Sequence, residues 1–200
     1  MRLLLVRHGA TDEVGRVLTG WRPGVRLNAA GRAQAERTAE RLAGLPLRAI
    51  YTSPIDRARE TAERIAARHG LEPVQRETLG EVDVGAWTGL GFEALRHDPR
   101  WEAFNRFRAG ARPPGGEWMI EVQARVVGEI QRLLEQHPED TVAAVSHGDP
   151  IKAALFHYGG VSLEAMVRWQ IAPASVSVLD LSARGASVVA VNDVAGPPWA

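Results

Sequence analysis

Two short apolar runs constrain this chain's fold more than any other feature. Leu3-Leu4-Leu5-Val6 leads straight into Arg7-His8-Gly9, and Thr141-Val142-Ala143-Ala144-Val145 leads into Ser146-His147-Gly148. Such runs read as buried strands. Open α/β sheets bind ligands in the crevice beyond the carboxyl ends of their strands. Two strands that each deliver a His-Gly there can place two imidazoles in one crevice. With Arg7 beside the first, that crevice suits a phosphoryl group. A neutral imidazole is a competent nucleophile, and paired cations stabilise the charge of a transferring phosphate.

Strand and helix signals alternate elsewhere. After an irregular stretch to Leu27, Asn28 reads as the N-cap of a helix over 29–45, stopped by Pro46. Residues 49–52 read as a strand. Asp56 reads as the cap of a helix running to about His69 and closed by Gly70. Residues 73–76 read as a third strand. A long amphipathic helix spans about 117–136, and a further helix starts near Pro150. Strands over 175–181 and 186–191 flank a turn at Arg184-Gly185, and the tail 196–200 reads as loosely held. This alternation predicts a three-layer α/β sandwich.

The length of 200 residues, with 45% hydrophobic and 24% charged, suits one domain over 1–200 with a full core. The stretch from about 80 to 117 breaks the pattern. It is rich in Gly and Trp, lacks sustained periodicity and ends in Pro113-Pro114-Gly115-Gly116, as an insertion over one end of the sheet would. The formal net charge is zero, so no global field favours nucleic acid or membrane. Lys152 is the only lysine, and the other 23 basic residues are arginine. The absence of cysteine excludes disulfides, a thiolate nucleophile and cysteine-ligated zinc. The opening apolar run of four residues is too short for a signal peptide or a membrane span. A soluble cytoplasmic protein is the expectation.

Taken alone, a strand-terminal histidine is more often structural than catalytic. The glycine after His8 favours function, because it lets the backbone turn sharply and approach a ligand. Arg57 sits where the strand ending in Thr52-Ser53-Pro54 meets its helix. It reads either as a surface arginine paired with Asp56 or Glu60, or as a second phosphate clamp. Glu81 and Asp83, in Leu79-Gly80-Glu81-Val82-Asp83-Val84-Gly85-Ala86-Trp87, are rival acid–base carboxylates that these considerations do not separate.

These stretches together resemble the histidine phosphatase superfamily, the phosphoglycerate-mutase-like family. The likeness runs through Leu5-Val6-Arg7-His8-Gly9-Ala10-Thr11, Leu27 to Ala35, Ser53 to Thr61, Glu81 to Gly89, Pro114-Gly115-Gly116-Glu117 and Val145-Ser146-His147-Gly148. It implies a mixed, mostly parallel sheet between helices, with residues 80–117 as the insertion over the site. It implies that His8 is the nucleophile, that Arg7, Arg57 and His147 surround the phosphoryl oxygens, and that Glu81 rather than Asp83 is the proton donor. Neither a metal nor a cofactor is implied, and no convincing carboxylate cluster for a metal is present. The chain departs from the family pattern in three places. Ala10 and Val14 stand where many members have an acidic residue and an asparagine, and Trp118 stands where many have serine.

The family's mutases carry an arginine directly after the acid glutamate and an arginine pair beyond it. Val82 stands at the first place, and no such pair lies between Glu81 and Pro113. The expectation is therefore a metal-independent phosphomonoesterase acting on a small phosphate ester. Short relatives include α-ribazole-5′-phosphate phosphatases and broad-specificity acid phosphatases. A cofactor-dependent phosphoglycerate mutase and a noncatalytic phosphate-binding module are the alternatives. A dinucleotide site is disfavoured, because the first strand is not followed by a Gly-x-Gly-x-x-Gly turn. Trp87, Trp101, Phe104, Phe107 and Trp118 read mainly as a satellite core under the insertion, with one or two free to cover a ring-bearing substrate. Family members are often dimers, so a homodimer is expected.

Overall fold

The computed structural model describes residues 1–195. Among these residues eight strands form: β1 (Arg2–Arg7), β2 (Val17–Leu18), β3 (Leu47–Thr52), β4 (Val74–Gln75), β5 (Leu90–Gly91), β6 (Thr141–Ser146), β7 (Val176–Ser182) and β8 (Gly185–Asp193). Between them run α1 (Ala29–Leu42), α2 (Asp56–Ala67), α3 (Phe92–Leu95), α4 (Pro99–Arg106), α5 (Met119–Gln136) and α6 (Gly148–Gly159).

Six strands make one sheet in the order β4-β3-β6-β1-β7-β8, and β2 pairs with β5 in a separate ribbon. The pairs β4–β3, β3–β6 and β6–β1 are parallel, whereas β7 and β8 add antiparallel at one edge. The sheet is therefore mixed and mostly parallel.

The central runs are apolar throughout because both faces are covered. Side chains alternate between the faces. Leu3, Leu5, Val142 and Ala144 pack with Val122, Val126 and Ile130 of α5 and Ile151 of α6. Leu4, Val6, Ala143 and Val145 pack with Leu42 of α1 and Ala58, Ala62 and Ile65 of α2. Three layers result, and no described helix is long and apolar enough to cross a membrane.

Register positions the site. Arg7 is level with Ser146, and Thr52 is level with Val145. The carboxyl ends of β1, β3 and β6 thus lie side by side, and His8, Ser53 and His147 leave the sheet together.

Several boundaries differ from the sequence reading. α1 ends at Leu42 rather than Leu45. β4 keeps only two of the four residues expected for it. α5 begins at Met119 rather than Glu117, and α6 begins at Gly148, two residues before Pro150. Asp56 does not cap α2. Ile55 is the cap residue, and Ile55 N–H is met instead by Ser53 Oγ at 3.2 Å. The Asp56 carboxylate accepts from Gly24 N–H at 3.0 Å and from Arg59 at 2.7 Å. The tail 196–200 lies outside the described residues.

Candidate active site

Beyond the ends of β1, β3 and β6 lies a cleft of about 560 Å³, whose lining includes Arg7, His8, Arg57 and Glu81. β1 supplies Arg7 and His8, the first turn of α2 supplies Arg57, and the loop after β4 supplies Glu81. His147 is not on the cleft wall. It is fully buried behind His8, with ring centroids 5.1 Å apart and planes at 59°. All five residues expected from the sequence converge, but one does so from the second row.

The tautomer of His8 follows from its partners. Nδ1 lies 2.7 Å from the Gly9 carbonyl, which only accepts, so Nδ1 carries the proton. Nε2 receives a hydrogen bond from Arg57 Nε at 3.2 Å, so it carries the lone pair. Burial, reinforced by the neighbouring Arg57 and Arg7 charges, holds the His8 imidazole well below the ordinary histidine pKa. The ring is neutral at physiological pH, as a nucleophile must be.

His147 is fixed similarly. Ser53 Oγ accepts from Ile55 N–H and lies 2.8 Å from His147 Nε2; with the serine hydroxyl as donor, Nε2 accepts and Nδ1 carries the proton. His147 Nδ1–H is then a donor with no partner among the described residues. Burial and the Arg57 charge push this histidine well down too.

Two further buried donors are equally uncommitted. Arg57, only 1% exposed, gives Nη2 to the Gly20 carbonyl at 2.9 Å, while its Nη1 finds no partner among the described residues. The surface pairing with Asp56 or Glu60 does not occur. Arg7 gives Nη1 to the Ile171 carbonyl, and its Nε is likewise unpaired there. Buried N–H groups normally find acceptors. Three orphaned donors on Arg7, Arg57 and His147, around one neutral imidazole, describe a cradle for a tetrahedral oxyanion.

Glu81 Oε1 accepts its own following N–H, from Val82, at 3.0 Å. Burial raises the Glu81 pKa above the ordinary carboxylate value, and the Asp149 charge raises it further, against the pull of Arg57 and Arg7. Asp83 is exposed, with its carboxylate turned back to Gly85 N–H at 2.9 Å. The two carboxylates that sequence reasoning left level are thus separated by position: Glu81 faces the cleft and Asp83 does not.

Apolar residues Val14, Val17, Leu18, Val84, Phe92, Trp169 and Ile171 make much of the remaining wall. Lys152 and Asp149 also line it, joined at 2.6 Å, and Asp149 takes a second contact from Arg108 at 3.3 Å. Although burial opposes ionisation, Lys152 and Arg108 hold Asp149 well below the usual carboxylate range. Trp87 and Trp101 are absent from the wall. They pack edge-on at 5.4 Å, with Phe104 5.7 Å from Trp87, as a satellite core. Trp118 stacks under Arg112 at 5.6 Å, and Phe107 is largely exposed. Sequence reasoning missed Trp169 and Ser53. The first sits in a loop without periodicity, and the second was visible only as part of a motif. Among the described residues no cluster of three or more His, Asp or Glu is placed to hold a metal ion.

Known proteins share this architecture. The structure of YhfR from Bacillus stearothermophilus superposes with a TM-score of 0.91 at 30% identity, covering 97% of this chain and 98% of its own. The α-ribazole phosphatase from Shigella flexneri gives 0.86 at 25% identity, covering 98% of each. In sequence, a 2,3-bisphosphoglycerate-dependent phosphoglycerate mutase of Brucella canis is 32% identical over 180 residues, 84% of this chain and 86% of that protein. A bifunctional protein of Mycobacterium tuberculosis is 35% identical over 199 residues, 98% of this chain. The chain spans only about half (54%) of that protein's length. The model of the histidine phosphatase superfamily, branch 1, matches residues 3–194, and with this near-complete match the chain belongs to that superfamily.

Proposed function

We propose that this protein is a phosphomonoesterase that works through a phosphohistidine at His8. The carrying observation is the neutral His8, with Nε2 free of a proton, inside a ring of uncommitted N–H donors on Arg7, Arg57 and His147. In the first step Nε2 bonds to phosphorus while the bond from phosphorus to the ester oxygen breaks. Charge spreads over three equatorial oxygens, where planar guanidiniums and the His147 Nδ1–H are suited to meet it. Glu81 gives its proton to the departing alkoxide. Water then attacks the phosphohistidine, Glu81 takes back a proton, and orthophosphate leaves with His8 restored. General acid–base help of this kind is worth roughly a hundred- to ten-thousand-fold.

The cleft supports hydrolysis over phosphoryl exchange between phosphoglycerates. A second anionic group would need cations of its own, and those nearby, Lys152 and Arg108, are both already engaged by the single carboxylate of Asp149. Val14, Val17, Leu18, Val84, Phe92, Trp169 and Ile171 line the cleft beside the uncharged Thr11, Thr19, Gln170 and Asn192, and Val14 stands where many family members have asparagine. A monoester of an uncharged alcohol fits that lining. The α-ribazole phosphate named for the Shigella flexneri structure is one candidate within this class.

Rapid acid-free quenching during turnover of a labelled monoester is expected to trap an acid-labile phosphohistidine, absent from His8→Ala. Recovery of no such adduct from the unaltered protein overturns the mechanism. Incubation with 3-phosphoglycerate and a bisphosphoglycerate primer is expected to release phosphate with little isomerisation. Efficient isomerisation would instead establish a mutase, the activity named for the Brucella canis relative.

A further inference from the structure

Glu81 lies in an irregular stretch just after a single 3-10 turn over Glu77–Leu79, and the backbone there is anchored along its length. Arg125, on α5, gives Nη1 to the carbonyls of Thr78 at 2.7 Å and Gly80 at 2.9 Å, and Nη2 to that of Glu81 at 3.0 Å. The intervening Leu79 carbonyl accepts from Ser146 Oγ at 2.6 Å, and Trp21 Nε1 adds a second donor to the Glu81 carbonyl. Arg125 itself is gripped by Glu117, through Nε at 2.9 Å and Nη2 at 3.1 Å. Glu117 also receives Asp83 N–H at 2.8 Å and gives its own N–H to the Asp83 carbonyl at 2.8 Å. Gly80 lies so close beneath Trp21 that a Cβ would fall 2.0 Å from the indole ring.

A guanidinium has five N–H donors in a rigid fork. Here all five are used: three on consecutive parts of the Glu81 loop and two on Glu117. Four successive carbonyls, from Thr78 to Glu81, thus find side-chain partners, and Asp83 is tied on the far side. Among the described residues the Glu81 side chain, between these anchors, makes only the bond to Val82 N–H. The backbone is fixed while the carboxyl remains free to exchange a proton.

We propose that Arg125, locked by Glu117, is a positioning residue that sets the location of the Glu81 carboxyl relative to His8. The proposal rests on the reading of Glu81 as proton donor. Neither Arg125 nor Glu117 lines the cleft, so neither is a catalytic residue. Lysine cannot substitute, because it has three donors and no planar fork.

The test compares an alkyl phosphate, whose alkoxide needs a proton to leave, with p-nitrophenyl phosphate, whose phenolate does not. The unaltered protein, Arg125→Lys, Glu81→Gln and the double variant are assayed on both esters. A small misplacement of a catalytic group costs about a hundredfold. Arg125→Lys is therefore expected to lose about a hundredfold in kcat/KM, which reports only the steps through departure of the alcohol, on the alkyl ester and less than about threefold on the aryl ester. The double variant is expected to be no slower on the alkyl ester than Glu81→Gln alone. A purely structural role would lower both esters alike and add to the Glu81→Gln loss, and either result overturns the proposal. If Glu81→Gln itself lowers both esters equally, the proton-donor reading fails first and the proposal falls with it. Should Arg125→Lys not fold, Glu117→Gln, which loosens the same clamp while keeping its shape, is judged by the same pattern.

Discussion

Two hydrogen bonds decide which nitrogen of His8 can act. The Gly9 carbonyl claims the Nδ1 proton, and Arg57 Nε–H leaves Nε2 as the acceptor. His147 meets Ser53 through Nε2, and a proton given by the serine hydroxyl keeps Nε2 as acceptor and Nδ1 as donor. Removing that control has a size. A neutral hydrogen bond contributes about 0.5–1.5 kcal/mol, a factor of roughly two to ten. Ser53→Ala is expected to lower kcat by such a factor with KM nearly unchanged, and steady-state assays on one ester check it. An unchanged kcat would mean that His147 needs no help to hold its tautomer. The acid has its own signature. Burial and Asp149 raise the Glu81 pKa, and the protonated form is the one that acts. On an alkyl phosphate, kcat/KM is therefore expected to fall as pH rises through that raised value, approaching tenfold per unit. Glu81→Gln is expected to abolish this alkaline limb, and a limb that persists would assign it to another group.

Among the elements, the close approach of two backbones is what brings the β1 end against α1. A Cβ on Gly31 would fall 1.9 Å from the Ala10 carbonyl oxygen, and one on Gly9 would fall 2.5 Å from that of Gly31. Asn28 starts α1 there by accepting Gly31 N–H at 2.8 Å. Backbone cannot yield as a flexible side chain can. Gly31→Ala is expected to cost about 3 kcal/mol, the upper part of the overpacking range. For about 200 residues that lowers Tm by roughly 6–12 °C, and thermal unfolding measures it. The same elements show where the sequence is legible. β1 and β6 announce themselves because continuous apolar residues have no other use in a short run between polar ends. The Asn28 cap is legible because its partner lies three residues away. Asp56 misleads, because its carboxylate is drawn to Gly24 across the chain while Ser53 serves the start of α2. β2 and β5 are two residues each, too short to carry a period. Arg125 is illegible for a different reason: its partners at Thr78, Gly80 and Glu81 lie more than forty positions away. Nothing local distinguishes it from the other arginines.

For the molecule as a whole, the site carries a cost that depends on pH. His8 and His147 are both buried and both held neutral, with folded-state pKa values well below the ordinary 6.5. In the unfolded chain both imidazoles return to that ordinary value. Between 6.5 and the lower folded values, the unfolded state therefore binds more protons than the native state. Stability must then fall as pH falls through this window, with a limiting slope of about 1.4 kcal/mol per pH unit for each histidine. Glu81 acts in the opposite sense, because its raised value makes the native state the better proton binder, but its window opens upward from the ordinary 4.5. His69, whose pKa burial also lowers, adds to the same sign, and the histidines together outweigh one carboxyl near pH 6. Tm in phosphate-free buffer is expected to drop between pH 7 and pH 5, and to drop less steeply in His8→Asn, which removes one of these titrations. Phosphate must be left out, since an anion that binds only the native state would raise Tm and mask the slope. A Tm that stays flat over this range in the unaltered protein would show that the imidazoles protonate without unfolding. The neutral nucleophile would then lose its physical basis.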